Sequence, residues 1–179
     1  MRVGYFFMDG VLTPQECGQI IAAGSEKMTA AQTQNGKATD EIRKGRTSFF
    51  SEGQDQALDP LFQRCVDAMI FCGNEAFSLN VAHVEPIQFT DYGKGDHYRW
   101  HYDQNGICET DKPDRHLSAS IELCDPGDYE GGGLEFYGIG DDVPERKQGR
   151  IIVFSSMMCH RAREVTAGRR CSLVLWGRS

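Results

Sequence analysis

Ile87-Gln88-Phe89-Thr90-Asp91-Tyr92-Gly93-Lys94-Gly95-Asp96-His97-Tyr98-Arg99-Trp100-His101-Tyr102-Asp103 sets the texture of the second half of the chain. Two short runs rich in aromatic and β-branched residues flank a break, 91–95, whose glycines and aspartate suit a turn. The same grammar continues outward. Strands are expected near 82–90, 96–103, 116–124, 133–137, 150–155 and 170–176, with a further one at 160–165, and with breaks at 104–114, 125–132, 138–149 and 166–169. Alternation never lasts long enough here for a βαβ protein, so Rossmann and TIM architectures are excluded. Six to eight short strands predict a mainly β (α+β) domain, closed or double-sheeted, of the jelly-roll kind.

Upstream, the period changes from two to 3.6. Thr13-Pro14-Gln15-Glu16 offers a capping hydroxyl, a proline at the first helical position and a glutamate three residues after the cap. Cys17, Ile20, Ile21 and Gly24 follow at helical spacing, which predicts a helix over 14–28. Asp59-Pro60 repeats the cap-plus-proline start, and Phe62, Val66, Met69, Gly73 and Phe77 share one face of a longer helix over 60–78. Residues 29–46 lack periodicity and read as a loop before a short strand at Thr47–Ser51. The expected organisation is one domain over 1–179. Residues 1–80 form a helical support region packed on the outside, and 81–179 form the catalytic core.

Composition narrows the partners. The 179 residues are 40% hydrophobic and 25% charged, enough for a core without staples. A formal net charge of −7 disfavours binding to nucleic acid or to an anionic membrane by charge. Seven cysteines, an odd number with no Cys-x-x-Cys pair, argue against a disulfide framework or a structural zinc site. The N-terminus reaches Asp9 before a signal-length apolar run develops, and no run approaches the roughly 20 apolar residues of a span. A cytoplasmic protein with reduced thiols is expected.

Three positions carry the chemistry. His101 and Asp103 are i and i+2 on a strand and so share a face. His-x-Asp alone is a weak signal, and His83-Val84-Glu85 is a rival pair beside Pro86. His160 changes the reading. Two His and one carboxylate leave open positions on an iron. Arg170 lies ten residues beyond His160 on the final strand, with Ser172 two residues along. A strand interior is an odd place for an arginine unless it meets a carboxylate, whereas Arg161, Arg163 and Arg169 read as a solvated patch. Among the remaining residues, His97, His116 and His83 read as ordinary strand histidines, Trp100 and Trp176 as core, and Gly131–Gly133 as a tight turn.

Over roughly 81–179 the sequence resembles the Fe(II)/2-oxoglutarate-dependent oxygenases, in their prolyl-hydroxylase-like branch. Four motifs carry the likeness: Tyr92 to Asp103, similar to a Tyr-x-x-Gly-x-x-Tyr-x-x-His-x-Asp strand with one residue of difference at the glycine; Arg115–Leu123; Asp128-Tyr129-Glu130-Gly131-Gly132-Gly133-Leu134-Glu135-Phe136; and His160 followed by Gly168-x-Arg170-x-Ser172. The resemblance implies a double-stranded β-helix with Fe(II) held by His101, Asp103 and His160. It implies 2-oxoglutarate on Arg170, supported by Tyr92, Ser172 and Ser118, with O2 as second co-substrate and ascorbate as a candidate cofactor. Hydroxylation of a prolyl or other amino-acid residue, or of a small amino-acid-like molecule, is the expected reaction. Arg43, Arg46 and Ser48 loosely match an early strand that touches substrate, with Arg46 the expected contact, and 104–114 is the expected lid. Two other readings stand beside it: a nucleic-acid oxidative demethylase, disfavoured by charge, and a metal-binding jelly roll acting as a sensor or binding module.

Overall fold

The computed structural model describes residues 4–32, 40–104, 114–139 and 144–178; the expected lid at 104–114 falls almost wholly outside them. In chain order the elements are β1 (Phe6–Met8), α1 (Pro14–Glu26), β2 (Thr29–Ala30), β3 (Arg43–Lys44), β4 (Arg46–Phe50), α2 (Asp59–Phe77), β5 (His83–Val84), β6 (Ile87–Tyr92), β7 (His97–His101), β8 (Leu117–Glu122), β9 (Tyr129–Gly131), β10 (Leu134–Phe136), β11 (Ile151–Ser155), β12 (His160–Ala162), β13 (Val165–Gly168) and β14 (Arg170–Arg178). The chain is mostly β with two helices.

A major sheet runs β1-β11-β8-β14-β6-β4-β2, with β5 pairing off β14; a minor sheet runs β10-β12-β7-β3, and β13 pairs β9. The sheets are not closed on one another. The centre of the major sheet is buried on both faces, so every residue of β6 and β8 is buried. One face meets the helices: Cys17 and Ile20 of α1 and Phe62, Cys65, Met69 and Cys72 of α2 share a core with Phe89, Leu117, Ile121, Ile151, Leu173 and Leu175. The other face looks into a cavity. β14 shows the division: Cys171, Leu173 and Leu175 enter the core, while Arg170, Ser172, Val174 and Trp176 line the cavity.

α1 starts as its sequence requires. The Glu16 backbone N–H donates to Thr13 Oγ1 and the Thr13 N–H donates back to the Glu16 carboxylate. That carboxylate also takes Arg64 Nη2 at 2.6 Å, which ties α1 to α2. Gly24 lets α1 settle on β6, because a Cβ there would lie 2.5 Å from the Phe89 ring. α2 departs from expectation. Leu58, not Asp59, is the N-cap, and Asp59 is the first helical residue. The start is held by the Asp55 carbonyl, which accepts from the Leu58 and Asp59 N–H groups.

Several boundaries move. β6 continues through Asp91 and Tyr92, which had been placed in a break, because Asp91 pairs with Arg46 across the ladder. The expected breaks at 125–132 and 166–169 contain the small β9–β13 ladder, and 29–46 contains β2 and β3. Trp100 is not core. It is 38% exposed on the outer face of the minor sheet, edge-on to Tyr137 and under Arg161. Trp176 is buried, at the cavity wall. Among the described residues six cysteines are free, and no helix is long and apolar enough to cross a membrane.

Candidate active site

The cavity between the sheets holds about 360 Å³ and receives side chains from both walls. Two cross-strand pairs build its chemistry. In the minor sheet, His101 of β7 stands opposite His160 of β12. In the major sheet, Tyr92 of β6 stands opposite Arg170 of β14.

Asp103, just past β7, completes the first group. His101 Nε2 is 3.6 Å from Asp103 Oδ1 and His160 Nε2 is 3.5 Å from Oδ2. The ligand atoms of the three residues all lie within 4.8 Å of one another, with His160 and Asp103 buried. Neighbouring positions on an octahedral ion with bonds of about 2.1 Å are roughly 3 Å apart, so a small contraction would seat a metal. The imidazoles are already oriented. The Nδ1–H of His101 donates to the Arg99 carbonyl at 2.7 Å and that of His160 to the Met158 carbonyl at 2.9 Å. A carbonyl can only accept, so Nδ1 carries a proton in each ring and Nε2, the nitrogen nearer Asp103, is the one available to a metal. Burial pushes the pKa of His160 below its ordinary value, against the pull of Asp103. Burial alone would raise that of Asp103, but His160 and His101 outweigh it and hold the carboxyl below the usual range. Both shifts favour the forms that bind a metal. The donor set fits a divalent first-row ion.

Asp103 is held by its backbone: its N–H and that of Gln104 donate to the Ser156 carbonyl. Ser118 enters here. Its hydroxyl lies 2.8 Å from that of Ser156, outside the cavity lining, so it braces the segment that carries Asp103.

At the far end Arg170 is 4% exposed. Its Nε donates to Glu122 Oε2 at 2.9 Å. Glu122 stands behind the guanidinium and outside the cavity lining. Burial would lower the Arg170 pKa, but Glu122 more than compensates and the group stays a cation. Among the described residues nothing accepts from its two terminal nitrogens, which leaves a planar pair of donors for a carboxylate arriving from the cavity. Gly132 permits the packing around it, because a Cβ there would sit 3.1 Å from Arg170 Cδ. Ser172 and Tyr92 line the same wall.

Arg46 does not reach the cavity. Its Nη2 donates to Asp91 at 2.6 Å, and Asp91 also takes Arg169 Nε at 2.5 Å. The reason is a change of sheet. Arg43 belongs to the minor sheet and Arg46 to the major one, with Gly45 at φ +149° between them. Arg43 therefore lines the cavity, as do Thr47 and Phe49, while Arg46 and Ser48 turn to the other face, where Ser48 bonds the Gly24 carbonyl. Tyr98, Arg115 and Glu122, present in the quoted motifs without a role, also belong to the site. Tyr98 stacks on His101 with centroids 3.5 Å apart, and Arg115 lies over Trp176 at 3.9 Å. Glu122 had a signal, being two residues on from Ser120 on the inward face of β8.

The sequence profile of the 2OG-Fe(II) oxygenase superfamily matches residues 87–178. A PKHD-type hydroxylase of Prochlorococcus marinus is 37% identical over 94 residues, 52% of this chain and 41% of that one. Another from Klebsiella pneumoniae subsp. pneumoniae is 32% identical over 149 residues, 74% of this chain and 65% of that one. The chain thus spans less than two thirds of either relative. The crystal structure of a viral collagen prolyl hydroxylase from Paramecium Bursaria Chlorella virus-1, in complex with 2OG, shares the fold at a TM-score of 0.75 and 20% identity, covering 98% of this chain and 96% of that one.

Proposed function

Because the chain belongs to the 2OG-Fe(II) oxygenase superfamily, we propose that it is an Fe(II)- and 2-oxoglutarate-dependent hydroxylase acting on an amino-acid residue or an amino-acid-like molecule. Its two sheets form a double-stranded β-helix, with 81–179 as the catalytic core. Residues 1–80 do more than support it, since Arg43, Thr47 and Phe49 belong to the cavity wall. The observation that carries this reading is the combination within one cavity of a His101–Asp103–His160 cluster and a buried Arg170 facing it from the opposite sheet. A metal-binding module has no need of the second feature.

Bound at these three side chains, Fe(II) supplies the oxygen chemistry: 2-oxoglutarate, O2 and a substrate C–H become succinate, CO2 and an alcohol. The chain's own residues bind and orient. Arg170 fixes the distal carboxylate of 2-oxoglutarate, with Glu122 holding the guanidinium plane and Ser172 and Tyr92 beside it. Burial keeps Tyr98 a neutral phenol, its pKa pushed up to about 12, so its ring covers His101 without adding charge. Trp176, Phe154 and Val174 exclude water from the floor.

The test is O2-dependent succinate release from 2-oxoglutarate by the Fe(II)-loaded protein. Release that disappears in His160→Ala and falls in Arg170→Ala supports the reading. A protein that binds Fe(II) and never forms succinate, even with a broad amino-acid and peptide panel, refutes it in favour of a binding module.

A further inference from the structure

We infer that Arg43 binds a carboxylate of the primary substrate, so that the compound hydroxylated carries a free acid group, as a free amino acid or a C-terminal residue does; this rests on the hydroxylase reading above. Among the described residues three guanidiniums line the cavity: Arg43, Arg115 and Arg170. Two are matched by carboxylates behind the wall. Arg170 has Glu122 at 2.9 Å, and Arg115 makes a two-point contact with Glu85 at 2.9 and 2.7 Å. Arg43 has no ion-pair partner among the described residues. It is 7% exposed, its Nη1 donates to the Gln32 carbonyl at 2.6 Å, and its Nε is buried with no acceptor. The face of Tyr98 lies 4.6 Å from the guanidinium carbon.

A buried cation balanced only by one carbonyl and one aromatic face is incompletely compensated. An anion arriving with the substrate would complete it. The place is suitable. Arg43 is the cross-strand partner of Tyr98, whose ring lies on His101. The guanidinium is therefore one ring removed from a proposed metal ligand, on the sheet opposite Arg170. Arg170, on the opposite sheet, is already assigned to 2-oxoglutarate, so Arg43 is left for the other substrate. The main chain of an internal peptide residue would offer only a neutral carbonyl there, so, acid-bearing side chains apart, it does not neutralise the charge.

The experiment uses full-length protein loaded with Mn(II) and 2-oxoglutarate. Calorimetry measures binding of amino acids and dipeptides supplied in pairs, free acid against carboxamide, beginning with proline and prolinamide. In the wild type the acids are expected to bind at least about tenfold more tightly than their amides, as for other buried charge pairs. The preference should fall below about threefold in Arg43→Gln and survive in part in Arg43→Lys. No acid exceeding its amide in the wild type overturns the inference, and so does an Arg43→Gln protein that keeps the tenfold preference. The wild-type comparison needs no substitution, so a poorly folding variant does not protect the idea. Succinate formation by the Fe(II)-loaded wild type is scored separately: its absence strikes the hydroxylase reading, whereas equal binding of acids and amides strikes the role of Arg43.

Discussion

The major and minor sheets face the same cavity but are supported very differently. Every residue of β6 and β8 is buried, and the core behind them draws on both helices. β7 has no fully buried residue, and the apolar cluster beside the minor sheet contains only Phe136, Ile152 and Phe154 as buried members. Arg170 and Tyr92 stand on the first wall, His101 and His160 on the second. The proposed co-substrate anchor is thus fixed by the core itself. The proposed metal ligands stand on a thin wall, which a bound ion would brace through three side chains at once.

The largest expected effect tests the first half of that contrast. Phe89→Ala empties a fully buried site under α1 and should cost about 3–5 kcal/mol, a fall in Tm of roughly 6–20 °C. Trp100→Ala, on the outer face of the minor sheet, should cost under about 1 kcal/mol. Equal losses in thermal denaturation would break the contrast.

These two residues also show what a sequence can reveal. Phe89 lies in an expected strand and alternates there with Gln88 and Thr90, the local pattern that its burial in the core follows. Trp100 was legible as opposite to His101, but whether that opposite face meets a layer or water depends on what covers the minor sheet, and no local pattern encodes it. The same limit separates Arg170 from Arg46. Arg170 announces itself by being charged within a strand otherwise rich in apolar residues. Arg46 could be assigned its face only by knowing that the chain changes sheets at Gly45. The Thr13–Glu16 capping box is local and was fully readable, whereas β9 and β13, three and four residues long, exist only through their pairing with each other.

Metal loading tests the second half. Mn(II) at about 100 times its Kd should add about 2.7 kcal/mol to stability, and hydrogen exchange should slow most in β7 and β12 and least in β8 and β14. Uniform protection of both sheets would mean the minor sheet is not the weaker wall. Arg170→Lys comes next. A point charge replaces a planar fork, so 2-oxoglutarate should lose about 1.5–3 kcal/mol of binding, more than tenfold in affinity, while metal stoichiometry stays at one.

The smallest effect lies outside the cavity lining. The side-chain contact with Arg64 and the Thr13 N–H hold the Glu16 pKa at about 2, below its usual 4.5. Its contribution is therefore complete above pH 4.5 and is lost as pH falls toward 2. Solvent screening keeps it under about 1 kcal/mol. Glu16→Gln should flatten that limb of the stability–pH curve in urea titrations and leave metal binding untouched.

The account is tested most directly by anaerobic calorimetric titration of Fe(II), then 2-oxoglutarate, into the wild type, His160→Ala and Arg170→Ala. One Fe(II) per wild-type chain is expected, followed by one 2-oxoglutarate. His160→Ala should lose the metal, and Arg170→Ala should keep the metal and lose the 2-oxoglutarate. Stoichiometric Fe(II) at wild-type affinity in His160→Ala, or undiminished 2-oxoglutarate binding in Arg170→Ala, would contradict the assignment of the two walls.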